Sequence, residues 1–490
     1  MYNYIQIIIR GELMAMYTIP DEFYFRLHHP RPRFKSNIEN VLIYIATEIV
    51  QIGSKPKERF KEDLNAAIKM FPGNFESTKK TIDNWRTEID ALFALIQEKG
   101  NNLEPTYRAI DLAENQDLVK FFKVFCYYFQ YPGGFVKNHF NFEILEAKIN
   151  FKPAQYILNM LYEAEQVHGI RAGLSKPETT HCIFNDLRVT RDNQKTSDTW
   201  NRITQNRVNN HDYDLNGDII RYAGDILDYL VQANLLVRRP NGKYYLNRAE
   251  AMAIQRFIQP TEHEFNYYEI LQKSFEDIEK LDIAEVDKRK LKFSKISNLE
   301  HQWITYFNTP LTDEFFDTDV ISLVTSDITD EAIDISVIIS EISNYTTGNI
   351  GSVGETLTVN HEIKRLKLNG REDLAHLVKF IPTHLAMGYD VNSRELDGGT
   401  RNIEVKTTAS SSEIQFTRFH LTPNEWAVAE SNQDRYYVYR LMISKESIKL
   451  YILQNPVKLY KTDRLRALPR NGMDIIFDPK TTGLEEKLLL

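Results

Sequence analysis

GYDVNSRELDGGTRNIEVKTTA, residues 388–409, decides how the last third of this chain is read. It places Asp390 on a short apolar run, then the turn Asp397-Gly398-Gly399-Thr400, then Glu404-Val405-Lys406 on a second run. Apolar runs flanking a glycine turn predict a β-hairpin. Side chains alternate along a strand, so Glu404 and Lys406 share one face while Ile403, Val405 and Thr407 take the other. Folding the hairpin about Asp397–Gly399 brings Asp390 within a rung or two of Glu404–Lys406. Two carboxylates this close repel, and one tends to stay protonated. A divalent cation removes that conflict, and Mg²⁺ favours one or two protein carboxylates with water and substrate phosphate as its other ligands. The spacing therefore predicts a Mg²⁺-dependent phosphodiester-cutting site. Its lysine positions or deprotonates the attacking water, or neutralises developing charge.

Working outward, a helix is expected over about Gly354–Leu368 and a second over Arg371–Phe380. Strands follow at Gly388–Arg394 and Asn402–Thr408, a helix near Thr422–Ser431, and strands at Tyr436–Ile443 and Ser447–Gln454. That order predicts an α/β sheet sandwich. Glu355, in the first turn of the first helix, can add a carboxylate to the site. Lys364 and Arg365 are candidates for phosphate contacts, and His361 reads as a surface or capping histidine, with a place facing the site as the alternative. Arg464, Arg466 and Arg470 form a late basic cluster. Thr408, Ser410, Ser411 and Ser412 either bond phosphates or form a polar loop. An E-x-K triplet alone is weak, since a solvated strand can carry one by chance.

The N-terminal two-thirds reads as mainly helical. Asn37–Lys99 is predicted helical, and Ser77–Gln97 keeps Ile82, Trp85, Ile89, Leu92, Phe93 and Ile96 at the 3–4 spacing of a buried stripe. Leu112–Gln130 is read as one helix with an aromatic face, and Lys152–Gln166 as another. Residues 218–236 predict a helix, followed at once by short strands around Pro240-Asn241-Gly242. A helix and then a basic Asn-Gly hairpin is the end of a winged-helix unit, whose Arg238, Arg239 and Lys243 are placed to touch phosphates. Such a unit also serves protein contacts. Upstream, Arg188–Arg207 is dense in Arg, Asn, Gln and Thr, with Arg202 and Arg207 as DNA-contact candidates and a solvated loop as the alternative. Thr261–Ser297 is a charged helical connection.

At 490 residues the chain exceeds one ordinary core and predicts several domains. The expected division is a helical DNA-recognition domain over 1–170, with a winged helix as the alternative there, a winged-helix DNA-binding domain over 171–260, a helical linker over 261–335 and a PD-(D/E)xK nuclease domain, as the resemblance given below implies, over 336–490. A net charge of −8 does not exclude nucleic acid, because phosphate binding needs a local basic face and not a basic total. The two cysteines, Cys126 and Cys182, have no CxxC spacing, which argues against a disulfide framework or zinc finger. The short apolar run Tyr4–Ile9 lacks a preceding positive region and is too short to span a membrane. A cytoplasmic location is expected.

The ordered set Gly354-Glu355, His361–Leu366, Gly388–Val391, Ile403–Thr408 and Leu421-Thr422-Pro423-Asn424-Glu425-Trp426 resembles the NO VEIN C-terminal domain family, within the PD-(D/E)xK nuclease superfamily. The resemblance covers roughly 340–455. It implies that Asp390, Glu404 and Lys406 are the catalytic residues, with Glu355 as the helix carboxylate and Asp390, Glu404 and Val405 holding Mg²⁺. The family's usual proline before the aspartate is absent, and Tyr389 stands there. In layout the chain is similar to type II restriction enzymes with separate reading and cutting domains. The expected activity is sequence-specific, Mg²⁺-dependent hydrolysis of double-stranded DNA, with at least transient homodimerisation for two-strand cleavage. The alternatives are a modification-dependent endonuclease and a DNA-binding regulator with an inactive nuclease-like domain.

Overall fold

The structure, a computed structural model, describes residues 15–28, 34, 37–169, 171–215, 219–260, 265–310, 314–325, 349–414, 417–479 and 484–489. The run Tyr4–Ile9 and most of the stretch expected to lead into the last domain lie outside these residues. Among the described residues, no helix is long and apolar enough to cross a membrane. Helices and several small sheets make up a multidomain architecture.

The N-terminal part is helical where apolar residues recur at helical spacing. The Ile38–Ile52 helix buries Val41, Leu42, Ile45 and Ile49. Its neighbours differ from expectation at two places. The Ser77–Gln97 stripe is not one helix. Thr78 caps a helix over Lys79–Thr87, a π-turn follows over Glu88–Leu92, and Ala94 at φ 49° ends the run. Strands β1 (Lys55–Pro56), β2 (Ile96–Lys99) and β3 (Asn102–Pro105) then pair in the order β1-β3-β2, so Ile96 is buried from a strand. Trp85 is core, as read. Leu112–Gln130 is likewise two helices, Tyr107–Asn115 and Leu118–Tyr128, because Gln116 takes a left-handed φ of 51° between them.

The polar stretch Arg188–Arg207 runs into the helix Thr196–Val208, which buries Trp200 and Ile203. The Ile219–Gln232 helix leads through Asn234, at φ 60°, into β5 (Leu236–Arg238) and β6 (Tyr244–Leu246). These pair antiparallel around the Pro240-Asn241-Gly242 turn, and β4 (Gly173–Leu174) adds to β6. The charged connection resolves into the helices Tyr267–Glu279 and Glu285–Lys295.

The C-terminal part is built on β7 (Lys379–Phe380), β8 (Val391–Arg394), β9 (Thr400–Ala409), β10 (Arg418–Leu421), β11 (Tyr436–Ile443), β12 (Ile448–Gln454), β13 (Arg466–Pro469), β14 (Met473–Ile476) and β15 (Glu485–Glu486). Six of these form one sheet in the order β15-β12-β11-β9-β8-β7, in which only the β9–β11 pair is parallel. A separate sheet in the order β10-β14-β13 was not expected, and the second helix is confined to Glu372–Ala375 before β7. The Ile350–Leu368 helix packs Leu357 and Leu366 with Ile403, Tyr439 and Leu441 in a core on one sheet face. The other face contributes Tyr436, Val438, Met442 and Leu453 to a core continuous with the N-terminal helices. Glu404 and Lys406 point to this second face, since Ile403 points to the first.

The two parts meet at the C-terminal end of β9. Asp117 bridges to Ala409 in parallel. The Gln116 carboxamide accepts from Thr408 Oγ1 at 2.9 Å and from Arg440 Nη2 at 2.6 Å, and donates to the Arg418 carbonyl at 2.8 Å. Ser411 donates to Gln232 and Ser412 to Glu39.

Candidate active site

The hairpin forms as its alternation requires. Val391 pairs with Ile403 and Arg394 with Thr400, and Gly398 supplies the left-handed turn residue at φ 94°. Asp390 stands just before β8, where it parts from β9. Its N–H donates to the Ile403 carbonyl at 2.9 Å, and its own carbonyl accepts from Ile381 N–H at 2.8 Å. Its Oδ2 accepts from the Val405 N–H at 2.8 Å. In an extended strand the N–H and C=O of one residue leave by the same edge, so the Val405 carbonyl faces the edge that Asp390 occupies.

Glu404, only 3% exposed, lies with its Oε1 2.7 Å from Lys406 Nζ. The same ammonium donates to Glu425 Oε2 at 3.0 Å. Glu425 comes from the N-terminus of the Pro423–Asn432 helix, where Thr422 and Glu425 form a reciprocal capping box. Thr422-Pro-Asn-Glu was legible as a capping box, yet nothing local shows that the same carboxylate reaches a lysine on another strand.

Asn349 caps the Ile350–Leu368 helix, so Glu355 lies in its second turn and not its first. The close approach of this helix to β9 depends on Gly354, where a Cβ would sit 1.8 Å from Thr407 Oγ1. That contact brings Glu355 into the field of Asp390. Burial, then the Asp390 charge, pushes the Glu355 carboxyl up to about 7. Burial also raises Asp390, against the pull of the Val405 N–H and Lys406. Glu404 is held well above the usual carboxylate range by burial, with Asp390 and Glu425 adding to the rise and Lys406 opposing it. For Lys406 burial works against the charge, but Glu404 and Glu425 outweigh it and hold the ammonium above its ordinary value.

Among the described residues, no three His, Cys, Asp or Glu side chains converge as a ready-made metal cage. The donor set nevertheless fits Mg²⁺. Half-buried Asp390 and buried Glu404 both resist ionisation, which a cation would offset, and Asp390 sits on the strand edge that the Val405 carbonyl faces. Two carboxylates with waters suit this ion better than a closed cage.

Several candidates are placed elsewhere. Arg202 is spent on the Cys182 carbonyl, Gln194 and Asp186, and Arg207 makes a forked pair with Glu178 and reaches the Gly173 carbonyl. Arg365 forks onto Glu362 and donates to the Arg394 carbonyl. The charge of each is paired inside the fold. Thr408, Ser411 and Ser412 turn toward the N-terminal part, and Arg470 pairs with Asp474. His361 is not a surface residue. It is 1% exposed, accepts from Leu489 N–H at Nδ1 and meets Tyr439 edge-on, and burial lowers its pKa to about 4. Arg238, Lys364, Arg464 and Arg466 are exposed, and Arg239 and Lys243 flank the β5–β6 turn.

The family described as Protein NO VEIN, C-terminal, matches residues 354–453, the stretch on which that resemblance was read. The structure of the BpuJ1 endonuclease binding domain in complex with pyrene- and phenanthrene-modified DNA is 28% identical, covers 60% of this chain and 100% of that one, and has a TM-score of 0.49. No curated protein matches the chain. The family described as Restriction endonuclease BpuJI, N terminal, matches residues 17–290. With more than half of its 490 residues so matched, the chain belongs to the BpuJI restriction endonuclease N-terminal family.

Proposed function

We propose that this chain is a Mg²⁺-dependent DNA endonuclease of the type II restriction kind, with residues before about 260 reading the duplex and residues after about 320 cutting it. The observation that carries the reading is one constellation: Asp390 on the Val405 N–H, with Glu404 and Lys406 in contact on the adjoining strand face. It stands in a chain whose larger part belongs to a restriction-endonuclease family. The antiparallel β8–β9 pair, with β11 added parallel and a helix on one face, supports a PD-(D/E)xK core.

Asp390, Glu404 and the Val405 carbonyl would hold the cation. When bound, Mg²⁺ polarises the phosphoryl oxygen and makes its water more acidic. Lys406, kept charged by two carboxylates, neutralises charge building on the phosphoryl oxygens and does not act as a base. Glu355 is poised near neutrality to take a proton from the attacking water. Arg238, Arg239 and Lys243, on the hairpin of a winged-helix unit, meet the phosphate backbone, and Lys364 adds a contact from the cutting side. Cleavage of both strands then calls for a transient dimer.

The test is incubation with phage DNA and Mg²⁺, followed by sequencing of the ends. Discrete cuts at one sequence are expected, and Asp390→Ala and Lys406→Ala should each slow cleavage by about 10²-fold or more. Wild-type rates in either variant would remove the proposed site. Sparing of unmodified plasmid alone would shift the reading to a modification-dependent enzyme.

A further inference from the structure

We infer that Glu425 is a positioning residue of the cleavage centre, fixing the Lys406 ammonium from a helix that carries none of the other site groups. The inference rests on the endonuclease reading above and names a group that reading does not require. A lysine is a point charge on a flexible four-carbon stem, so its place depends on what holds it. Glu404 Oε1 lies 2.7 Å from Lys406 Nζ, but Glu404 is also a candidate metal ligand on the same strand. It cannot give the same lone pairs to a cation and to the lysine. Glu425 has no such conflict.

The Glu425 carboxylate is itself held. Its Oε2 accepts from the Thr422 N–H at 2.9 Å, and the Glu425 N–H donates to Thr422 Oγ1 at 3.3 Å. Pro423 fixes the first turn of the helix. The same Oε2 accepts from Lys406 Nζ at 3.0 Å, with the Glu425 side chain 15% exposed. One carboxylate oxygen has lone pairs enough for both donors, and the helix N-terminus favours its negative charge. The carboxylate is thus placed before Lys406 arrives, and it stays when Glu404 turns to a cation.

A capping box works with Gln as well as Glu at this position. Capping alone therefore does not explain the negative charge, and Glu425→Gln separates the two roles. In the full-length protein, Glu425→Gln should keep the thermal midpoint near wild type. It should lower the single-turnover cleavage rate with Mg²⁺ by about 10- to 100-fold while leaving the DNA concentration at half-maximal rate unchanged. Glu425→Asp, which keeps the charge on a shorter stem, should recover part of the rate. Thr422→Ala, which weakens the cap but keeps both the Thr422 N–H and the carboxylate, should lower the midpoint and leave the rate within about twofold. Cleavage by Glu425→Gln at the wild-type rate overturns the inference while the endonuclease reading stands. So does an equal loss of rate in Thr422→Ala, which would make the effect one of helix capping. If wild type cuts no DNA with Mg²⁺ or Mn²⁺, the endonuclease reading falls and this inference falls with it.

Discussion

Glu355, Asp390 and Glu404 are three carboxyls that the fold holds above their ordinary pKa, and they share a cause. Each is withdrawn from water, and the Asp390 charge adds to the rise at Glu355 and at Glu404, so each favours the protonated form. A cation must displace those protons. In a carboxyl whose pKa is raised, the proton stays bound to a higher pH, so cation affinity falls as pH drops through that value. With Glu355 titrating at about 7, affinity for Mg²⁺ should rise between pH 6 and 8 and binding should release protons. Calorimetric titration with MgCl₂ in two buffers of different ionisation heat reads this directly. Identical apparent heats in the two buffers would mean that no proton leaves, and would sink the assignment of Asp390 and Glu404 as ligands with Glu355 beside them. Gly354 is the residue behind this arrangement, because any side chain there meets Thr407 and lifts Glu355 away from Asp390.

At the scale of elements, local pattern was legible and distant demand was not. The hairpin, the helix over Ile350–Leu368 and the β11–β12 pair followed from alternation, glycine turns and helical spacing, all local signals. Ile96 misled because it sits at the helical spacing of the stripe before it. What moved it into a strand was the tight turn at Gly100, φ 62°, and pairing with Asn102–Pro105. The break at Gln116 had no local sign, since glutamine is not a usual left-handed residue and its partners lie about 300 residues on. His361 was misplaced for a related reason: polar residues surround it in sequence, but Tyr439 and the C-terminal Leu489 cover it in space.

That burial has a pH signature. The unfolded ring titrates near 6.5 and the folded one near 4, with Glu362, Arg365 and Arg401 as its charged neighbours. The folded state refuses a proton that the unfolded state accepts. The stabilisation is therefore complete above pH 6.5 and lost as pH falls toward 4, by roughly 3 kcal/mol. Urea unfolding across that range should show the decline in wild type and a shallower one in His361→Gln. Equal slopes would show that His361 is not the residue responsible.

For the whole molecule, the decisive feature is the seam between the helical part and the six-stranded sheet. It is not a thin linker contact. Arg418 in β10, 2% exposed, joins Glu48 of the Ile38–Ile52 helix to Asp474 of β14. Arg440 is the most demanding group there. It is 1% exposed, its charge is pushed down to about 9 by burial, and the partners of its Nη2 are the neutral oxygens of Gln116 and Thr408. It is also the register partner of Lys406, which ties this seam to the site strand. Removing the Gln116 side chain leaves a buried guanidinium short of an acceptor, so Gln116→Ala should cost about 2–3 kcal/mol. Gln116→Gly loses the same hydrogen bonds but relieves the left-handed backbone at φ 51°, and should be milder by about 1 kcal/mol. Because the core is continuous across the seam, both variants should unfold in urea with one midpoint, whether followed by helical circular dichroism or by hydrogen exchange of β11 peptides. A loss below about 0.5 kcal/mol in Gln116→Ala, the range of an ordinary surface change, or a wild type whose β11 exchanges well before its helices melt, would mean that the two parts hold their structure independently and that the seam carries no coupling.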